Sequence, residues 1–346
     1  MPPGRHTLQG PPRLAVIANP RSGRVGRRLD RVRRSGERIA ATGGMYLEAT
    51  TSEEIHRAVE EAIAGAADGL VTVGGDGTVS GVLTSLYALR GAPAADTQQP
   101  AHAQASGAPW PLLGVVPAGM TNMTAHDLGV RSPPLRVMDR LAGWVAGRGV
   151  PPGRVRRAVL RVQGEGEPAV LGMFFGMGMV PDGVRFFQER LRRMRMAGEH
   201  NSGIAIVRTL LSLALRGGRD RFPSVALEAW WNDAPPLRME ALAGIASTLS
   251  RMVLGSRPFW GREEGPLHFS LVEREAATFW RGVPRFALGR PGRHMTPEGG
   301  WHSHNAARLV LRFQGPYVVD GELHTVDEKA SPLVLDAPVS PVWLVP

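Results

Sequence analysis

Residues 70 to 79 read Leu70-Val-Thr-Val-Gly-Gly-Asp-Gly-Thr-Val79. The first four favour a strand, and a helical pattern of apolar residues starts directly after Thr78. A strand that passes through glycines into a helix aims unpaired backbone N–H groups at one point, where an anion can bind. The glycines also let a phosphate approach the main chain closely. The stretch therefore predicts a phosphate-binding turn and a fold built around it.

Asp76 is the unusual member of this turn. A carboxylate beside a polyphosphate is repelled unless a cation lies between them or a proton must be accepted. The turn therefore indicates a nucleotide such as ATP, with Mg²⁺ held at Asp76 through the phosphates. An ordinary βα turn capped by Asp76 or Thr78 explains the same residues equally well. The candidate nucleotide-binding residues of this turn are Gly74, Gly75, Asp76, Gly77 and Thr78.

The composition describes a basic globular chain. Of its 346 residues 43% are hydrophobic and 21% charged, and the net charge is +10. There is no cysteine, which excludes disulfides, thiol catalysis and thiolate metal sites. Lys329 is the only lysine, so a P-loop and a protein-kinase strand lysine are also excluded. A basic surface suits nucleotide or anionic lipid, whereas no nucleic-acid motif is present.

No segment predicts export or a membrane span. Leu14–Ala18 is too short for a signal sequence, and Arg208 interrupts the apolar run Ile204–Leu215. We therefore expect a cytoplasmic protein, with peripheral binding to the inner face of the membrane as a further option. That option depends on Val184–Met196, a basic amphipathic helix, although such helices more often pack their apolar side inward.

Strands and helices alternate through the first 150 residues. This order predicts an α/β domain, residues 1–150, with a doubly wound parallel sheet that binds its ligand at the carboxyl ends of the strands. Residues 91–111 predict a flexible insertion. The predicted strands are Leu14–Ala18, Met45–Thr50, Leu70–Val73 and Leu112–Val116, and the helices around them are Arg24–Ala41, Ser52–Ala64, a helix after Thr78, and Pro133–Gly147.

The second half carries many short strands with alternating apolar residues. We expect a β-rich, sandwich-like domain, residues 151–346. One option is that the last residues of the chain return to the first domain. Two helices interrupt it, Val184–Met196 and Gly203–Leu215, and the nearby His294, His302 and His304 predict a solvated turn rather than a metal site. The predicted strands are Val155–Val162, Val170–Phe175, Val225–Trp231, Arg238–Ile245, Leu267–Val272, Arg308–Phe313 and Val334–Leu335.

Two further turns carry polar residues next to strands. Asn19-Pro-Arg-Ser-Gly23 offers Asn19, Ser22 and Gly23 to phosphate or ribose, although a simple Asn-Pro turn explains it too. Tyr317-Val-Val-Asp-Gly-Glu-Leu323 places Asp320 and Glu322 between two strands, where a plain Asp-Gly hairpin is the alternative.

Four motifs in this order resemble the diacylglycerol kinase catalytic-domain family, the bacterial lipid kinases related to sphingosine kinases and more distantly to NAD kinases. They are Asn19–Gly23, Gly74–Thr78, Pro117–Asn122 with Leu128-Gly129, and Val319–Glu322. The resemblance implies a nucleotide-binding α/β domain, a β-sandwich domain, and ATP in the cleft between them.

The resemblance also implies roles for individual residues. Asp76 would act at the Mg²⁺-ATP phosphates, and Asp320 would be the base that deprotonates the lipid hydroxyl. Glu322 would help with the metal or orient Asp320. Nucleotide contacts are implied at Thr50, Gly119, Thr121, Asn122 and Glu322.

Several positions depart from the family pattern. Ser80-Gly81 replaces Asn-Glu, and Met120, Met123 and His126 replace Thr, Asp and Arg. Glu264-Gly-Pro-Leu-His268 replaces both aspartates of the family's metal loop, so that metal is not expected here.

These observations lead to three hypotheses. The first is an ATP-dependent lipid kinase acting at an anionic membrane surface on diacylglycerol, a sphingoid base or phosphatidylglycerol. The second is a non-catalytic protein that binds nucleotide or lipid. The third is an NAD-kinase-like enzyme with a soluble substrate.

Overall fold

A computed structural model describes residues 12–23, 28–92, 109–196, 224–232, 234–252, 255–276, 279–327 and 331–346. The chain divides into two compact units. One contains the chain up to Arg157 together with Val339–Pro346, and the other is Ala158–Pro338. The predicted helix Gly203–Leu215, most of the predicted insertion and residues 24–27 of the first predicted helix lie outside the described residues.

The first unit contains a six-stranded, mostly parallel sheet. Its strands are β1 (Leu14–Ala18), β2 (Met45–Glu48), β3 (Gly69–Gly74), β4 (Leu112–Pro117), β5 (Gly153–Arg156) and β17 (Val342–Val345). Their spatial order is β2-β1-β3-β4-β17-β5. The pairings from β2 to β17 are parallel, and β5 runs antiparallel to β17. This arrangement confirms the predicted parallel α/β fold.

Helices cover this sheet. They are α1 (Leu29–Ala40), α2 (Ser52–Ala64), α3 (Asp76–Arg90), α4 (Met123–Asp127) and α5 (Pro134–Val145). Helix α1 packs against α5, and α2 packs against α3. Strands β1 and β3 are buried along their whole length, which explains why their sequences do not alternate between apolar and polar residues, although β3 includes the polar Thr72.

The second unit is built on an eleven-stranded sheet whose described strand pairs are antiparallel. Its strands are β6 (Val159–Gln163), β7 (Val170–Gly172), β8 (Phe174–Gly178), β9 (Val225–Trp231), β10 (Leu237–Ser247), β11 (Leu267–Glu273), β12 (Trp301–Ala306), β13 (Arg308–Arg312), β14 (Gly315–Val319), β15 (Glu322–Val326) and β16 (Leu333–Val339). Its helices are α6 (Met179–Met196) and α7 (Phe279–Ala287).

The long strand β10 lets this sheet enclose a core. Its first half pairs with β9 and its second half with β8, and its register against β11 shifts between Ala241 and Ala243. Such a shift bends a strand and increases its twist. Distant strands therefore share one apolar core that includes Phe175, Phe269 and Leu335. The predicted β-rich, sandwich-like fold is confirmed.

Three details of the strand predictions were wrong. The predicted strand Val155–Val162 is broken at Arg157, where the chain passes from one unit to the other. Val170–Phe175 is broken at Met173, whose N–H is bonded to a side chain instead of to a neighbouring strand. His302 and His304 lie in β12 rather than in a solvated turn, because this segment pairs with β11 and buries Trp301.

None of the described helices is both long and apolar enough to cross a membrane.

Candidate active site

The predicted phosphate turn is the start of α3. The helix begins at Asp76 directly after β3, and the N–H of Val79 donates to the Gly75 carbonyl at 3.1 Å. The preceding amides belong to the first turn, which an α-helix leaves without intrahelical partners. Gly75 provides no side-chain cap. The first turn of α3 therefore has the amide geometry that favours an anion.

Two glycines bring this turn into contact with the turn after β4. A Cβ on Gly119 would lie 2.4 Å from the Cα of Gly75, and a Cβ on Gly75 would lie 3.1 Å from the Cα of Gly119. Side chains at either position would push the two main chains apart. Gly75 and Gly119 are thus required by the packing of the two turns.

Asn122 shapes the turn after β4 through its side chain. It is 2% exposed and has a left-handed backbone with a φ of +47°. Its Oδ1 accepts the N–H of Gly119 at 2.7 Å, and its Nδ2 donates to the Gly119 carbonyl at 2.9 Å. Asn122 therefore fixes the conformation of the chain between Gly119 and α4.

Asp76 is buried between the two turns, with 5% of its surface exposed. Its Oδ2 accepts the hydroxyl of Thr121 at 2.7 Å and the N–H of Met123 at 3.0 Å. Its Oδ1 accepts the N–H of Thr124 at 3.0 Å. Both carboxylate oxygens are therefore engaged by the chain that follows β4.

The Asn-Pro turn after β1 reaches the same place. Asn19 Nδ2 donates to the hydroxyl of Thr78 at 3.2 Å, and its Oδ1 accepts the N–H of Arg21 at 2.9 Å. Ser22 closes the turn by donating its N–H to the Asn19 carbonyl at 3.0 Å, and Gly23 is exposed. The structure thus brings Asn19 into contact with the start of α3.

Thr50 follows β2 and bonds to the start of α2. Its N–H and its hydroxyl both donate to Glu54 Oε2 at 2.6 Å. The Thr50 hydroxyl, the Thr50 N–H and the Thr51 N–H lower the pKa of Glu54 to about 2. Thr50 therefore lies at the predicted edge of the sheet, and in this structure its hydroxyl supports the capping box formed by Thr51 and Glu54.

The predicted residues of the first unit therefore converge at one edge. Asn19, Thr50, Gly75 and Gly119 follow β1, β2, β3 and β4, whose carboxyl ends share that edge because the strands are parallel. This is where open α/β sheets bind ligands.

Contacts within the first unit explain two of the residues that depart from the family pattern, Gly81 and Met123. A Cβ on Gly81 would lie 3.1 Å from Cδ1 of Ile55, so glycine suits the contact between α3 and α2. Met123 is buried and meets Asp76 through its backbone N–H, which any residue but proline provides. Met120 is half-buried, and nothing in the structure explains the choice of methionine there.

In the second unit Asp320 is both a hairpin residue and a buried carboxylate. Asp320 and Gly321 have φ values of +47° and +91° between the paired residues Val319 and Glu322, as in a two-residue hairpin turn. The carboxylate of Asp320, which is 5% exposed, accepts the N–H groups of Met173 and Phe174 at 2.9 and 3.0 Å. Asp320 therefore holds the break between β7 and β8 against the hairpin.

Glu322 and His324 lie on the same face of β15, since side chains two residues apart in a strand share a face. The side chain of Glu322 is exposed on one side. The protein packed around the rest of it partly desolvates the carboxylate, which raises its pKa. The ring of His324 stacks on Tyr317 with centroids 5.1 Å apart, and burial lowers its pKa. Its Nε2 is buried without a hydrogen-bond partner in the described part of the chain. His324 was not predicted as a site residue, although the alternation Glu322-Leu-His324 places it on the same face as Glu322.

The loop that replaces the family's metal site is hydrogen-bonded to β12. Glu263 accepts from His304 Nδ1 at 2.5 Å and from the N–H of Asn305 at 3.1 Å, and His268 Nδ1 lies 2.7 Å from Asn305 Oδ1. Across the described ranges, no three His, Asp or Glu side chains form a group that could hold a metal ion. The glycine turns fit a nucleotide, whereas the Asp76 carboxylate that would meet its Mg²⁺ is already engaged.

Comparison with solved structures shows the same fold at low sequence identity. A candidate diacylglycerol kinase from Bacillus anthracis str. Sterne has a TM-score of 0.63 at 14% identity, over 96% of this chain and 97% of that chain. A diacylglycerol kinase structure from the same strain has a TM-score of 0.58 at 13% identity, with the same coverage. No curated protein matches the chain in sequence.

Residues 13–146, which run from the start of β1 to the end of α5, match the family model of the diacylglycerol kinase catalytic domain. This stretch contains all the turns of the first unit described above. The resemblance expected from the motifs is thereby confirmed for residues 13–146, which are similar to the diacylglycerol kinase catalytic domain.

Proposed function

We propose that the protein is an ATP-dependent kinase that phosphorylates a hydroxyl of diacylglycerol or a related lipid. The observation that carries this proposal is the convergence of three turns, those of Asn19, Gly75 and Gly119, at the carboxyl edge of the parallel sheet. The family match over the same residues supports a kinase substrate as the ligand of this edge.

Within the first unit, the amides of Gly77 and Thr78 would bind the nucleotide phosphates. Gly74, Thr121 and Asn122 shape this region, Ser22 and Gly23 border it, and Thr50 lies at the same edge. Mg²⁺ that arrives with ATP would neutralise phosphate charge, and such Mg²⁺ keeps several water ligands and needs few protein carboxylates. The protein's own contribution is positioning and electrostatic stabilisation.

In the second unit we assign proton acceptance to the acidic turn after β14. Asp320 fixes the turn, because its carboxylate accepts hydrogen bonds from the N–H groups of Met173 and Phe174. Glu322 is accessible and its pKa is raised, which brings a carboxylate closer to the range useful for a general base. We propose that Asp320 and Glu322 act as a pair, in which Asp320 sets the geometry of the turn and Glu322 accepts the proton of the lipid hydroxyl.

The lipid would be met at an anionic membrane surface. The chain has a net charge of +10. Helix α6 is rich in arginine, and Phe186 on it is 40% exposed. Basic helices with exposed aromatic residues bind anionic interfaces.

The test is a phosphorylation assay with labelled ATP, a panel of lipids in anionic vesicles, and NAD. We expect a labelled lipid, and Glu322→Gln should remove that product while ATP binding persists. Asp327→Asn, which changes an exposed carboxylate just beyond β15, serves as the control and should leave the product unchanged. A labelled NAD product would favour the soluble-substrate alternative, and ATP binding without any product would favour the non-catalytic one.

A further inference from the structure

Helix α4 has no cap of its own. Its N-cap residue is Asn122, whose side chain is turned back onto Gly119 and makes no capping bond. The first amides of the helix belong to Met123 and Thr124, which are 8% and 0% exposed. Buried amides at a helix start need an acceptor from elsewhere in the fold.

Asp76 supplies that acceptor from a different helix. Each of the two amides donates to one oxygen of its carboxylate, and the hydroxyl of Thr121 adds a third bond. A negative charge at a helix N-terminus is also favoured by the helix dipole, and hydrogen bonds to a charged acceptor are the stronger ones. One side chain therefore joins the start of α3 to the start of α4.

The same bonds limit what else Asp76 can do. The three donors occupy three of the about four acceptor positions of a carboxylate, and 5% of the residue is exposed, so a cation could reach Asp76 directly only at the one position left on Oδ1. Mg²⁺ demands near-ideal octahedral geometry, which an already oriented, buried carboxylate is poorly placed to complete.

We infer that Asp76 is a positioning residue, which holds the turn from Gly119 to Thr124 against the first turn of α3, rather than a ligand of Mg²⁺. One consequence of this inference rests on the proposed function: nucleotide binding would depend on Asp76 because Asp76 positions the main chain of the two turns. A nucleotide held by both turns would then require Asp76 whether or not Mg²⁺ accompanies it.

Hydrogen exchange of the nucleotide-free protein tests the structural part. In Asp76→Asn the amides of Met123 and Thr124 should exchange about tenfold faster, the size expected for loss of a charged cap. Asp68→Asn is the matched control, since Asp68 accepts the N–H of Arg13 at 2.8 Å at the amino end of β3. It should leave the exchange of α4 unchanged.

Thr121→Val provides a second, milder variant that keeps the carboxylate. It should speed hydrogen exchange of the Met123 and Thr124 amides by a smaller factor. If Asp76→Asn does not fold, Thr121→Val still tests whether the Asp76 carboxylate positions the start of α4. Unchanged exchange at α4 in the folded variants would overturn the inference.

Titration with ATP, with Mg²⁺ or with EDTA, tests the consequence. We expect Asp76→Asn to weaken binding by a similar factor in both conditions. Weakening confined to the Mg²⁺ titration would instead make Asp76 a metal ligand and overturn the inference. If wild-type protein binds no nucleotide, the proposed function fails, while the exchange measurement still decides whether Asp76 positions α4.

Discussion

Replacing Gly119 by alanine tests the contact between the two turns most directly. The new Cβ would lie 2.4 Å from the Cα of Gly75 and 3.1 Å from Oδ1 of Asn122, whereas ordinary van der Waals contact begins at 3.4 Å. Neither neighbour is the end of a long flexible side chain, because one is main chain and the other is held by two bonds to Gly119 itself. The two turns must therefore separate by about 1 Å, an overpacking that costs about 1–3 kcal/mol.

This cost should appear in both stability and turnover. For a unit of this size each kcal/mol lowers the unfolding temperature by about 2–4 °C, so we expect a decrease of about 2–12 °C by calorimetry. A displacement of about 1 Å in a substrate-positioning turn can reduce turnover about 100-fold. Phosphorylation of the best lipid from the panel measures the second effect.

Gly183→Ala is the matched control for the unfolding temperature, since a Cβ there meets nothing within 4 Å. Alanine at a compatible helical position is neutral or slightly stabilising. If Gly119→Ala unfolds at the wild-type temperature and phosphorylates lipid at the wild-type rate, the two turns do not depend on their glycine contact and the reasoning is refuted.

Three further predictions concern charged and titrating groups. Glu54→Gln should destabilise the protein at pH 7, and the difference from wild type in urea unfolding should vanish as the pH falls from 4.5 towards about 2, because the folded pKa is lowered; a constant difference would contradict this. An NMR titration should place the pKa of His324 below 6.5, so that its contribution to stability is present above pH 6.5 and lost as the pH falls through the lowered pKa; a higher value would show that the ring is not desolvated. Arg161 binds Asp336 through two bonds of 2.9 and 2.6 Å, so Asp336→Asn should cost about 1–3 kcal/mol in denaturant unfolding. The same change at the exposed Asp139, which pairs with Arg38, should cost less than about 1 kcal/mol, and equal losses would refute the comparison.

The parts of the fold that follow from local pattern could be predicted from the sequence. Leu14–Ala18 is a continuous apolar run and Leu70–Val73 is a run of strand-forming residues; both are followed by turns, and both are buried parallel strands. The Asp-Gly hairpin, which was the alternative at Asp320, could be expected for a local steric reason, since two consecutive left-handed residues favour Asp and Gly.

The partners of the site residues could not be predicted in this way. Nothing near Asp76 in sequence indicates that its carboxylate bonds to Thr121, Met123 and Thr124, because that contact exists only once β3 and β4 are paired. The break at Met173 has the same origin, since its amide bonds to the distant Asp320. Side-chain chemistry indicated the candidate site residues, whereas tertiary pairing decides what each of them contacts.

The place of β17 has a consequence for how the protein is made. Strand β17 lies between β4 and β5, so the sheet of the first unit is incomplete until residues 342–345 are available. At ribosomal speeds of about 5–20 residues per second, the polypeptide between Arg157 and Val342 takes about 10–40 s to synthesise. During that interval the edge of β4 in the nascent sheet is unpaired, and β5 lacks the strand β17 with which it pairs in the folded protein. An unpaired strand edge is a site at which other chains can associate.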